Sequence, residues 1–259
     1  MNVSVISWAD IFRFAVVFFR ICGIMVFAPF FNIRSFPYQV RVAFALVCTL
    51  ALYPTANLGT LPQEFGMSSV LAFAFSETLL GMVLGLAASF VFAAMQFAGQ
   101  IISFQLGFSL INLIDPQSEV EMSVFSFFEN YLGLLLFLLI SGHHWFLLAV
   151  SESFSYLPVQ GMHLSGPIVQ EMILLSSKIV FTGVQIAAPV LAITIIADIV
   201  IGIIGRAAPQ INILVVGMPL KTLVGFACLG ISFYFLPALL GGAFIRLSEN
   251  MFTLLRAMR

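Results

Sequence analysis

Side chains able to do chemistry are few here, and none falls at a spacing that chemistry requires. The chain has 10 Lys plus Arg, 11 Asp plus Glu and 3 His among 259 residues. Zinc needs His, Cys or carboxylates at short fixed intervals. His143 and His144 are adjacent, His163 stands apart, and neither HxxxH nor HExxH occurs. Cys22, Cys48 and Cys228 sit singly inside apolar runs, with no CxxC pair, and read as small buried hydrophobes. The string "GFSL" at Gly107 departs from G-x-S-x-G and has no base to serve it. Neither a P-loop nor a GxGxxG fingerprint is present. The expectation is a protein that is not an enzyme and holds no cofactor or metal.

Three ionisable groups lie inside apolar runs: Glu77, Lys178 and Asp198. A charge in lipid is costly, so each must face protein or water. Asp198 and Arg206 are about two helical turns apart, which suggests a buried pair or a helix cap. An ion or proton path would need several acids along one helix, and the sequence lacks that. Small residues recur every four positions at Gly81, Gly85, Ser89 and Ala93. This spacing lines one helix face and lets another backbone come close, within the chain or from a neighbouring subunit. The stretch "SLINLIDPQSEVEM", residues 109–122, joins an apolar half to a turn at Asp115-Pro116 and two further acids, Glu119 and Glu121. By its residues alone it is an interhelical turn with solvated acids.

The elements that must carry these residues are apolar. Hydrophobic residues make up 61% of the chain and charged residues 8%, whereas soluble domains carry about 25% charged residues. Most of this surface must face lipid or other subunits. Net charge is −1, so no basic surplus points to nucleic acid. Six apolar blocks stand out, at residues 11–31, 42–53, 70–114, 124–150, 172–205 and 211–240, followed by an amphipathic tail at 241–259. All read as helix, with no repeated short strands of barrel type. The third block is too long for one straight span and is expected to bend or break near Gly99-Gln100. Pro189 and Pro237 are expected to kink their helices. Arg13 and Arg20 are seven apart and share a helix face. The N-terminus lacks a basic n-region and Asp10 precedes the first block, which argues against a cleaved signal peptide. The positive-inside rule groups Arg34, Arg41, Arg206, Lys221 and the C-terminal arginines on one side, opposite Asp115, Glu121 and Glu152.

Three strings, read together, carry a resemblance: "FQLGFSLINLIDPQS" (104–118), "SGHHWFLLAV" (141–150) and "GRAAPQINILVVGMPLK" (205–221). In this order and spacing the chain resembles the FliR family of flagellar export proteins, which virulence type III secretion systems share. The likeness runs from "ICGIMVFAPFF" (21–31) through the C-terminal hairpin. It implies an all-α, membrane-associated protein of long kinked helices and helical hairpins, FliP-like over about residues 1–165 and FliQ-like over about 166–259. It implies a structural and gating subunit of the type III export gate, in the bacterial inner membrane at the flagellar basal body, with much of the assembly on the periplasmic side. The implied partners are FliP-like, FliQ-like and FlhB-like subunits, the exported unfolded proteins and membrane lipid. A single copy would close the helical ring, and neither covalent chemistry nor a cofactor is implied.

The same resemblance assigns residues. Gln105, Gly107, Phe108, Leu110, Ile111, Leu113, Ile114, Asp115 and Pro116 would form a loop that plugs the closed pore. Apolar side chains there would dewet a constriction. Related sequences often carry Phe where Leu110 and Leu113 stand. Arg206, Pro209, Gln210, Asn212, Pro219 and Lys221 match the tip of a FliQ-like hairpin. Gates of this family are helical cones, so the six blocks need not be six spans. The competing reading is a stand-alone small-molecule permease. The short chain, the lack of internal symmetry and the few embedded polar groups weigh against it.

Overall fold

The computed structural model describes residues 8–28, 37–56, 66–108, 123–157, 166–210 and 212–258. The elements among them are all helices: α1 (Trp8–Phe27), α2 (Tyr38–Leu52), α3 (Met67–Gln105), α4 (Val124–Leu139), α5 (Gly142–Tyr156), α6 (Gly166–Ala207) and α7 (Ile213–Ala257). The protein is all-α, as its apolar blocks predict. Ser69–Gln105, Gly166–Ala207 and Val215–Arg256 are long and apolar enough to cross a membrane. At about 1.5 Å per residue, each of α3, α6 and α7 runs well past a ~30 Å hydrocarbon core.

Three expectations about these blocks need correction. Helix α3 runs unbroken through Gly99-Gln100 and ends only at Gln105. Gly99 serves packing instead, because a Cβ there would lie 2.6 Å from the Phe125 carbonyl oxygen of α4. The block at 124–150 is two helices rather than one, parted at Ile140-Ser141, where Ser141 takes a left-handed φ of 58°. The last block and the tail are one continuous helix, α7, which runs through Pro219 and Pro237.

The chain forms two compact units. The first holds Met1–Phe90, Ser141–Ser176 and Ile245–Arg259, and the second holds Val91–Ile140 and Ser177–Phe244. In the first unit, α1 meets α3 at a glycine contact. Cβ atoms at Gly81 and Gly85 would strike the carbonyl oxygens of Arg20 and Ile24, and one at Gly23 would strike that of Thr78. Glycine is required where two helix backbones approach so closely. In the same unit Ala87, Leu175 and Leu254 form an apolar cluster, flanked by Phe90 and Met172. The C-terminal turns of α7 are amphipathic as expected: Leu247, Met251, Leu254 and Leu255 are buried, while Arg246, Glu249 and Arg256 are exposed.

One buried cation joins three segments of the first unit. Arg20 is fully buried. Its Nε donates to Glu77 Oε2 at 2.7 Å, its Nη1 to Ser153 Oγ at 2.9 Å and its Nη2 to the Leu157 carbonyl at 3.2 Å. Its Cζ lies 4.0 Å from the Phe154 ring centroid. Arg13, one heptad earlier, is exposed, so the face they share passes from solvent into the core.

The second unit is held by rings and amides. Phe92, Phe137 and Phe244 meet pairwise at centroid distances of 5.7, 5.5 and 5.2 Å. Gln96 donates to Asn130 at 3.0 Å, and the Ser126 hydroxyl donates to the Gln96 carbonyl at 3.1 Å. Within this unit α6 and α7 form an antiparallel hairpin, with Pro209 and Gln210 in a turn between them. Asp198 pairs with Lys221, Thr194 faces Gly225 and the Pro189 carbonyl accepts from Cys228.

Candidate functional site

The site lies in the second unit, where α3 stops. Gly107 takes a left-handed φ of 86°, a conformation that costs a side-chain-bearing residue about 1–2 kcal/mol. The Gly107 N–H donates to the Phe104 carbonyl at 3.1 Å, and the Phe108 N–H reaches back to the Ser103 carbonyl at 3.0 Å. These two bonds satisfy carbonyls that the helix end leaves open and turn the chain sharply out of α3. Sequence reasoning placed the break at the wrong glycine. Gly99 and Gly107 look alike in sequence, and only the neighbour packed on Gly99 separates them.

The turn is pinned on two sides. Phe108 meets Phe125 of α4 at 5.3 Å and Phe226 of α7 at 5.9 Å, and Phe125 meets Phe226 at 5.6 Å. Aromatic pairs in such geometry each add about 0.5–1.5 kcal/mol beyond the area they bury. The Thr222 hydroxyl lies 3.1 Å from the Leu106 carbonyl and 2.9 Å from that of Met218. The Leu106 side chain fills the space that Gly225 leaves by having no Cβ. Beside the turn opens a cleft of about 980 Å³, lined mainly by apolar groups that include Phe104, Met218, Leu223 and Phe226.

Asp198 and Lys221 also line the cleft, 2.7 Å apart, with side chains 49% and 20% exposed. The partner of Asp198 is therefore on the other arm of the hairpin and is not Arg206. Arg206 is exposed in the last turn of α6, where a cation suits the helix dipole. Pro209 and Gln210 are exposed in the connecting turn, and the Asn212 carbonyl accepts from Val215 and Val216 at the start of α7. Pro219 is exposed within α7. Lys221 stands farther along α7, away from the tip.

Of the proposed plug, Gln105, Gly107 and Phe108 are placed. Leu110, Ile111, Leu113, Ile114, Asp115 and Pro116 lie outside the described residues, as do Glu119 and Glu121. Along the small-residue ladder, Gly81 and Gly85 meet α1, the Ser89 hydroxyl donates to the Leu86 carbonyl at 2.7 Å and Ala93 is half-buried. His143 and His144 open α5 with ring centroids 4.3 Å apart beside an exposed Trp145, and His163 lies outside the described residues. Lys178 is exposed. Among the described residues no three His, Cys, Asp or Glu gather as a metal site.

Two buried charged groups escaped the sequence reading. Arg20 was noticed only for its spacing from Arg13, and its pairing with Glu77 across 57 positions leaves no local trace. Glu129, in the apolar string "SFFENYLG", is 2% exposed, and its Oε2 finds no hydrogen-bond partner among the described residues. An acid within an apolar run was the available signal.

The sequence matches the model of a family described as bacterial export proteins, family 1, over residues 11–247. It is 34% identical over 228 residues to the flagellar biosynthetic protein FliR of Bacillus subtilis, covering 86% of this chain and 87% of that one. The FliR of Escherichia coli K12 is 30% identical over 222 residues, with 86% and 84% covered. That of Pectobacterium carotovorum is 30% identical over 238 residues, with 90% and 88% covered.

Proposed function

Because this chain belongs to the bacterial export proteins, family 1, we propose that it is the FliR-type subunit of a flagellar type III export gate. It serves as a structural and gating component in the bacterial inner membrane, assembled with FliP-like, FliQ-like and FlhB-like partners, and it passes unfolded proteins without covalent chemistry. The observation that carries the gating role is the pinned turn at Leu106, Gly107 and Phe108. It ends α3 abruptly, just before the apolar string 109–114 in the sequence. Apolar groups in a narrow lumen exclude water and hence ions. In this reading Leu110, Ile111, Leu113 and Ile114 supply that seal, Asp115-Pro116 returns the chain, and Arg206, Pro209, Gln210 and Asn212 mark the hairpin tip that meets neighbouring subunits.

Native mass spectrometry of the tagged chain, coexpressed with its neighbouring membrane genes, tests the assembly. The expected species holds one copy of this chain among several copies of two smaller membrane proteins. A lone monomer or a homodimer, with those proteins present but unbound, would favour the permease. Deleting residues 110–114 is expected to leave assembly intact and to make the gate leak ions. Loss of assembly without a leak would return the segment to scaffold.

A further inference from the structure

We propose that Arg20 and Glu77 form a charge interlock that makes the apolar seating of α1 conditional on α3 and on the end of α5. The reading is independent of the gate assignment and rests on the first unit alone. Helix α1 carries Asp10, Arg13 and Arg20 within twenty residues, and with that charge it is not one of the helices among the described residues that could cross a membrane by length and composition. A guanidinium in an apolar interior is tolerated only when its donors are met. Arg20 meets that demand with groups 57, 133 and 137 positions away in sequence. Until the chain has grown through Leu157, part of this cation has no partner.

The glycine contact sets the geometry. Gly81 lets the α3 backbone close onto the Arg20 carbonyl, and Glu77 lies one turn earlier on the same helix. The close approach and the ion pair are therefore one joint. The guanidinium fork donates in three directions at once to α3, to α5 and to the backbone just after α5, and rests on Phe154. Lysine would hold one such charge but cannot reproduce the planar fork. Arg20 and Glu77 are 0% and 2% exposed, so neither offers a proton or an ion a route to water. The pair is a latch between segments.

A charge-removal cycle in the full-length chain tests this. Arg20→Met and Glu77→Leu each strand the other charge, whereas the double variant strands neither. Monodisperse chain recovered from membranes in mild detergent is expected to fall at least ten-fold in each single variant. It is expected to return to within three-fold of the parent in the double variant, with Arg20→Lys staying low. The half-buried Cys22 on α1 reports seating directly. In intact membranes its maleimide labelling, read by peptide mass, should quicken at least five-fold in the single variants and return to the parent rate in the double. Single variants with parental recovery and labelling would overturn the proposal. So would a double variant no better than the worse single.

Discussion

The two compact units each contain an ion pair of the same length, and the pairs mean different things. Arg20 to Glu77 and Lys221 to Asp198 both span 2.7 Å, yet the first pair is 0% and 2% exposed and the second 20% and 49%. A half-exposed pair contributes about 0–1 kcal/mol. A sealed pair is different in kind, since removing one partner leaves a buried charge and costs about 3–5 kcal/mol. Glycine divides only in part, because Gly99 of the second unit also meets a neighbouring backbone. In the first unit Gly81 and Gly85 clear space for a neighbouring backbone. In the second, Gly107 supplies a dihedral that turns the chain. The first unit is thus joined by a sealed pair whose members cannot be changed one at a time, and the second by rings, a turn and one close glycine contact.

Variants can break or sharpen this contrast. Outside the sealed pair itself, the largest effect is expected at Gly85→Leu, where the new side chain meets the Ile24 backbone. A loss of about 3 kcal/mol should lower the Tm of the detergent-purified chain by roughly 10 °C. A variant with unchanged Tm would show that α1 can retreat from α3. Next comes Ser153→Ala, which orphans one N–H of a buried guanidinium. It should cost about 2 kcal/mol, and a neutral result would mean that another acceptor takes over. Gly107→Ala keeps every ring contact and strains only one φ. A stability loss of about 1 kcal/mol, read as a Tm drop of roughly 3 °C, with a measurable ion leak in the assembled gate, would tie that dihedral to the proposed plug. The smallest effect belongs to Asp198→Asn, at less than about 1 kcal/mol. A Tm change larger than that of Ser153→Ala would reverse the comparison and show that the half-exposed pair holds the two arms of the hairpin together.

Much of the fold could be read from the sequence because hydrophobic patterning is local. Composition marked a membrane protein, and nearly all the described residues of the apolar blocks are helical. What failed was punctuation. Gly99 and Gly107 are both glycines in one apolar run, and the helix passes through the first and has ended before the second. Whether such a residue ends a helix depends on what packs on it, which is tertiary information. Asp198 was paired with Arg206 along one helix, although its partner Lys221 stands on the other arm of the hairpin. At the site, the string around Gly107 and Phe108 was recognised as one piece, but the Phe108, Phe125 and Phe226 cluster was not. Its members come from three separate apolar runs rich in phenylalanine, where no single ring stands out.

The order of segments within the units has a consequence for dissection. The first unit is stitched from three stretches of chain and the second from two, and α3, α6 and α7 each give one stretch to both. No single cut can therefore release either unit whole. A nick between residues 157 and 166 would leave each fragment holding strips of both. Such halves would have to be produced together and find each other before either could be assayed, which makes this chain a substrate for fragment complementation and a poor one for domain-by-domain cloning.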